Sequence, residues 1–272
     1  MFSKIFPNRG GSSLGAAALA AVAVAGLAGT GAVSASVVNV EFWNNGNANS
    51  GNFQHQQGAY TGDSLTSPTW NVLTVDGDVN GSGQVVPVTV NGLVDSTNTA
   101  TGVGITFGYQ GWFNAYKKTS PANNLLDSYI ASVAGYVNNN IELTGLTDNG
   151  NYELYLYGSS AGYGAKTLFK FTAGTATPAA GSNAYTSASE VAPGAFALNT
   201  NYVIFDVTAS ATGTITIVPY PTSGTPSITT HNTGNVNGLQ SVSAPVPEPA
   251  SLALVAAGGL GLLLLGRKRK FT

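Results

Sequence analysis

Residues 141–157, IELTGLTDNGNYELYLY, decide the fold. Ile141 and Leu143 alternate with Glu142 and Thr144, and Tyr152-Glu153-Leu154-Tyr155-Leu156-Tyr157 repeats the period of two. Side chains on a strand point alternately to opposite faces, so each run reads as a strand with one face turned to a core. An Asp/Asn/Gly cluster between them reads as a turn.

The same pattern extends outward. Val37–Trp43, Val85–Val90, Val103–Phe107, the Phe169/Phe171 pair around Lys170, Val203–Val207, Thr214–Val218 and Val236–Val242 are short alternating runs separated by Gly, Asn, Ser and Pro. Pro87 has no N–H to give a ladder, which marks its strand as an edge. Leu125, Leu126, Tyr129, Ile130 and Val133 have helical spacing, with Asn123 or Asn124 as cap, and predict one short helix. Nine or ten short strands predict an all-β body, a jelly-roll-type β-sandwich over residues 36–244.

The ends differ from this body. Lys4 and Arg9 precede an apolar, Ala-rich run from Leu14 to Leu27, and Val33-Ser34-Ala35 fits the small-x-small rule. Residues 1–35 therefore read as a signal peptide and helix, cleaved by signal peptidase after Ala35. At the other end, 245–249 is a Pro-rich linker and 250–266 carries no charge. As a helix, 250–266 spans about 26 Å, near the short limit for a bilayer. Arg267, Lys268, Arg269 and Lys270 stand in the basic end, 267–272. By the positive-inside rule that end stays in the cytoplasm and the body faces out.

Val246, Pro247, Glu248 and Pro249, then an apolar helix, then a basic end together resemble the PEP-CTERM sorting signal. The resemblance implies an exosortase-type processing enzyme as partner and cleavage near Pro-Glu-Pro. It also implies an inner-membrane-anchored precursor delivered to the surface or exopolysaccharide matrix of a Gram-negative bacterium. In the body, the run from IELTGLTDNGNYELYLYG through LFKFTAG, YVIFDV and GTITIVPY to NGLQSV is similar to galactose-binding-like jelly rolls, which include carbohydrate-binding modules. With YTGDSLTSPTWN near its start, the run is also similar to exported proteins bearing this sorting tail. These motifs are strand patterns, so no ligand residue carries over.

Composition narrows the chemistry. Charged residues are only 8% of the chain, far below the quarter or so usual in globular proteins. From Glu41 to Glu248 four lysines stand against twelve acids, a net charge of −8. That balance argues against nucleic acid, whose phosphates call for Lys/Arg clusters. The chain has no cysteine, which excludes thiol catalysis and Cys-ligated metals.

No catalytic residue is expected. Gly158-Ser159-Ser160-Ala161-Gly162 matches G-x-S-x-G, and Asp206 and His231 follow in hydrolase order. The helix that should follow the serine is replaced by Tyr163-Gly164-Ala165 and another strand. Asp127 and Glu142 have no feature pairing them as glycosidase carboxylates. Asp76, Asp78 and Asn80 offer alternate oxygen ligands as a calcium candidate, but the twelfth position is Pro87 rather than a carboxylate. His55 and His231 stand alone, without metal-ligand spacing.

The remaining candidate is aromatic. Residues 109–118, YQGWFNAYKK, hold four rings and two lysines. Rings cover the C–H faces of sugars, and Asn, Gln and Lys bond their hydroxyls. Tyr109, Trp112, Tyr116 and Tyr163 are therefore the candidate ligand-binding residues, with Tyr155 and Tyr157 nearby. The function expected is a non-catalytic surface or matrix protein whose sandwich binds exopolysaccharide or envelope glycan. The alternatives are an exported lyase or hydrolase, or an adhesin or ice-surface binder marked by a flat Thr-rich face.

Overall fold

The fold is known from a computed structural model, which describes residues 36–44, 58–60, 68–75, 87–108, 111–114, 124–132, 140–158, 166–187, 196–222 and 234–243. In chain order the elements are β1 Val37–Asn44, β2 Asn71–Val75, β3 Val88–Val90, β4 Gly104–Phe107, β5 Gly111–Asn114 and a single helical turn, α1 Asn124–Asp127. Then come β6 Ser128–Ser132, β7 Ile141–Thr144, β8 Asn151–Tyr157, β9 Thr167–Ala173, β10 Thr175–Pro178, β11 Tyr202–Thr208, β12 Ile215–Pro221, β13 Gly234–Val236 and β14 Gly238–Ser243. The expected all-β character is what these elements give. The expected signal segment 1–35, Ala35 included, and the tail with its expected 250–266 helix lie outside the described residues. Among the described residues no helix is long and apolar enough to cross a membrane.

Three sheets result. One has six strands in the order β10-β11-β8-β14-β1-β2, one has five in the order β3-β4-β7-β12-β9, and a small one is β13-β6-β5. The larger two share a hydrophobic core. Val38, Val40 and Phe42 of β1, Leu154 and Leu156 of β8, and Val203, Phe205 and Val207 of β11 meet Ile105, Phe107, Ile141, Leu143, Ile215 and Ile217 of the five-stranded sheet. Phe42 and Phe107 bring their ring centroids to 4.8 Å across the layers, and Phe171 and Phe205 to 4.9 Å. All these residues keep the period of two read from the sequence. Residues Ala35–Ala244 form one compact unit around this core.

The last strand lies in the interior of its sheet. β14 pairs antiparallel with β1, Val37 opposite Val242, and on its other side with β8, Gly238 opposite Tyr157. Ser36 and Ser243 close the junction: the Ser36 amide donates to Ser243 Oγ at 2.9 Å, and the Ser243 amide to the Ser36 carbonyl at 2.9 Å. Gly238 suits the crossing, because a Cβ there would collide with the Val40 carbonyl oxygen.

One expectation needs correction. The helix predicted around Leu125–Val133 is only the turn α1, after which the chain becomes β6, paired with β5 and β13. Tyr129, Ile130 and Ala131 are buried. Pairing on both sides gives these residues a strand's partners, which outweighs a helical spacing only nine residues long. Val88–Val90 does form an edge strand, as Pro87 implied.

Candidate functional site

The outer face of the six-stranded sheet carries a second, aromatic core. Register sets its rows: Tyr202, Tyr157 and Gly238 stand side by side on β11, β8 and β14, as do Ile204, Tyr155 and Gln240, then Asp206, Glu153 and Val242. Trp70 and Leu125 pack onto this face, Val37 extends the last row beside Val242, and Tyr60, Phe196 and Leu126 lie at the margin. The Tyr157 ring sits 5.4 Å from Phe196 and 5.9 Å from Tyr202, and Tyr155 stacks on Tyr202 at 6.2 Å with a 22° interplanar angle. Tyr60 meets Tyr155 edge-on at 5.5 Å. Tyr155 and Tyr157 are thus packed, buried rings rather than open sugar platforms.

Beneath them runs a closed polar network. Gln240 Oε1 accepts from the Tyr157 hydroxyl and, at 3.1 Å, from the Tyr60 amide. Gln240 Nε2 donates to Asn39 Oδ1 at 2.9 Å, and Asn39 Nδ2 to the Thr69 carbonyl at 2.8 Å. The Ala59 amide donates to the Tyr157 hydroxyl at 2.6 Å. A Cβ at Gly58 would strike the Gln240 amide, so only glycine lets this segment lie so close.

Burial raises the Tyr157 hydroxyl well above its ordinary value near 10. It also raises Tyr155, which the neighbouring Glu153 carboxylate lifts further, and Tyr202. A hydroxyl with a raised folded-state pKa holds its proton longer folded than unfolded. Stability from these three groups is whole below pH 10 or so and falls as pH climbs from there through the folded values. Alkaline unfolding is therefore expected above pH 10, with the tyrosinate absorbance of these three rings, read as the wild-type signal less that of the matching Tyr→Phe chains, rising together with the loss of β circular dichroism. Tyrosinate signal from these three rings in a folded protein at pH 10 contradicts this burial.

Trp112 lies on β5, paired with Ile130 of β6. Tyr109, Tyr116, Tyr163, Ser160, His55, His231, Asp76, Asp78 and Asn80 lie outside the described residues, as do Val246, Pro247, Glu248, Pro249 and the cluster Arg267–Lys270. Asp206 is exposed on β11, between Glu153 of β8 and Thr177 of β10. Glu142 stands on the outer face of the five-stranded sheet and takes a hydrogen bond from Thr216 Oγ1 at 3.3 Å. Asp127 ends α1, whose Leu125 packs on the outer face of the other sheet, so the elements bearing these two acids belong to opposite layers. Among the described residues no group of three or more His, Cys, Asp or Glu could hold a metal ion. The outer row Thr89, Thr106, Glu142, Thr216 carries single threonines interrupted by a carboxylate.

One feature escaped the sequence reading. Tyr185 forms a bridge with Leu168 of β9, and Leu168 pairs on its other side with Tyr220 of β12. Lys170 Nζ lies 4.6 Å from the centroid of the Tyr220 ring. The hint available in sequence was thin: Lys166 and Lys170 flank alternate positions of one strand.

Residues 245–270 match the family model of the PEP-CTERM protein-sorting motif. The chain is thus an exported protein, sorted by its C-terminal signal from a membrane-anchored precursor. The motif implies processing by an exosortase. Comparison with curated proteins and with solved structures finds no match to the chain.

Proposed function

We propose that this is a surface or matrix protein of a Gram-negative cell. In this reading an exosortase cleaves it near Pro247-Glu248-Pro249, and a non-catalytic jelly-roll body holds polysaccharide. The match of 245–270 to the sorting motif carries the delivery half of the reading. The jelly-roll form of the body is supported by connectivity. Take β1, β7, β8, β9, the Tyr185 segment, β11, β12 and β14 as strands one to eight. One sheet then runs 1-8-3-6 and the other 2-7-4-5. That alternation between layers is what two interlocked Greek keys produce.

Mass spectrometry of the C-terminus from native cells tests delivery. The wild type is expected to end upstream of Ala250, and the chain with Pro247, Glu248 and Pro249 all replaced by Ala to retain Thr272. A wild-type chain that keeps Thr272 overturns the reading.

A further inference from the structure

The outer face of the five-stranded sheet bears the row Tyr185–Leu168–Tyr220 across three neighbouring strands. Tyr185 is 41% exposed, Leu168 and Tyr220 are half-buried, and Lys166 and Lys170 are exposed on either side of Leu168 along the strand. We infer that this patch is a binding site for an anionic polysaccharide, one whose sugars carry carboxylates. The inference rests on the proposal that the body holds polysaccharide, and adds the site and the charge of the polymer.

Three observations carry it. The first is shape. Leu168 and Tyr185 form a pair flanked by two backbone hydrogen bonds, Phe169 amide to Ala184 carbonyl and Thr186 amide to Thr167 carbonyl, both 3.0 Å. This fixes an otherwise irregular segment against β9 and holds the Tyr185 ring in line with Leu168. Three adjacent strands span about 9–10 Å, the scale of two linked sugar rings.

The second is charge. Lys166 and Lys170 are the two cations among the described residues, in a span where acids outnumber lysines three to one. Both stand at this patch. Tyr220 holds the Lys170 ammonium over its ring, which leaves N–H donors for a carboxylate while limiting the chain's freedom. Tyr185 is the ring left to stack.

The third is the placing of the acids. Glu142, on the same face, belongs to β7, two strands from β9, and is engaged by Thr216. Glu153 and Asp206 are on the outer face of the opposite sheet. With a Debye length of about 8 Å at physiological salt, these acids are largely screened at the patch, which among the described residues is positive.

The test uses the full chain in detergent micelles, titrated with polygalacturonate, its methyl ester, neutral dextran and polyphosphate. Polygalacturonate is expected to bind at least tenfold more tightly than its ester. Lys166→Ala with Lys170→Ala, and separately Tyr185→Ala, are each expected to weaken it about tenfold. All three side chains are exposed, so melting temperatures should stay at the wild-type value and confirm folding. Equal binding of acid and ester, or no effect of the lysine pair, overturns the anionic assignment and leaves polysaccharide binding standing. No effect of Tyr185→Ala overturns the site, and polyphosphate binding as tightly overturns the sugar. Failure to bind any polysaccharide overturns both this inference and the reading beneath it.

Discussion

A chain ending at Asn237 is expected not to fold, whereas one ending at Ala244 folds to an all-β domain without the tail. The two differ by seven residues, but those residues are β14 and one alanine. β14 fills the slot between β8 and β1, so its loss splits the six-stranded sheet in its middle rather than trimming an edge. Leu239 and Val242 leave the two cores, at about 1.5–3 kcal/mol each. The ladders on both sides go as well, at about 1 kcal/mol per hydrogen bond. The total is on the order of 10 kcal/mol, comparable with the whole stability of an ordinary domain. Circular dichroism and thermal melts of the two chains, each begun at Ser36, decide the matter. A cooperative melt from the shorter chain would show that β14 is dispensable.

The consequence reaches the sorting signal through chain order alone. The matched motif starts at residue 245, two positions after β14 ends. The sheet cannot be completed until nearly all of the chain ahead of the motif has been exported, and only six residues separate Ser243 from the apolar stretch starting at Ala250. Folding of the body and arrival of the tail at the membrane are thus close events in the life of the chain.

The strands were legible where each residue's neighbours decide its state. β8 alternates without a break, and Leu154 and Leu156 face one core while Tyr155 and Tyr157 face the other. Alternation cannot say which strand lies beside which. That β14 sits between β8 and β1 follows from contacts some 80 and 200 residues apart, such as Tyr157–Gln240 and Asn39–Gln240. The predicted helix failed for the same reason, since β6 exists by virtue of its partners. Nor could the sequence separate buried rings from open ones. The run 109–118 drew attention by density, while Tyr185, the open ring among the described residues, stands alone among small residues. Only the pairing of Tyr185 and Tyr220 with Leu168 brings the two rings into one row, beside Lys170 on the same strand.

The second large effect is expected at Gln240, where replacement by Leu should cost about 2–5 kcal/mol. The side chain is fully buried, and Leu fills similar volume, so packing changes little. What changes is hydrogen bonding. The Tyr157 hydroxyl loses its acceptor, Asn39 Oδ1 loses the Gln240 donor, and the Tyr60 amide loses its acceptor. Each buried group left unmet costs about 1–3 kcal/mol, less where water reaches it, as at half-buried Tyr60. Tyr157→Phe should be milder, about 1–3 kcal/mol, because Gln240 keeps the Tyr60 and Asn39 bonds and only the Ala59 amide is orphaned. The double variant should cost less than the sum of the two, since the bond between them is lost only once. Urea unfolding of the four chains gives the cycle directly. Additive costs would mean that Tyr157 and Gln240 act independently. A Gln240→Leu chain as stable as the wild type would mean that the network does not tie segment 58–60 and β1 to the last strand.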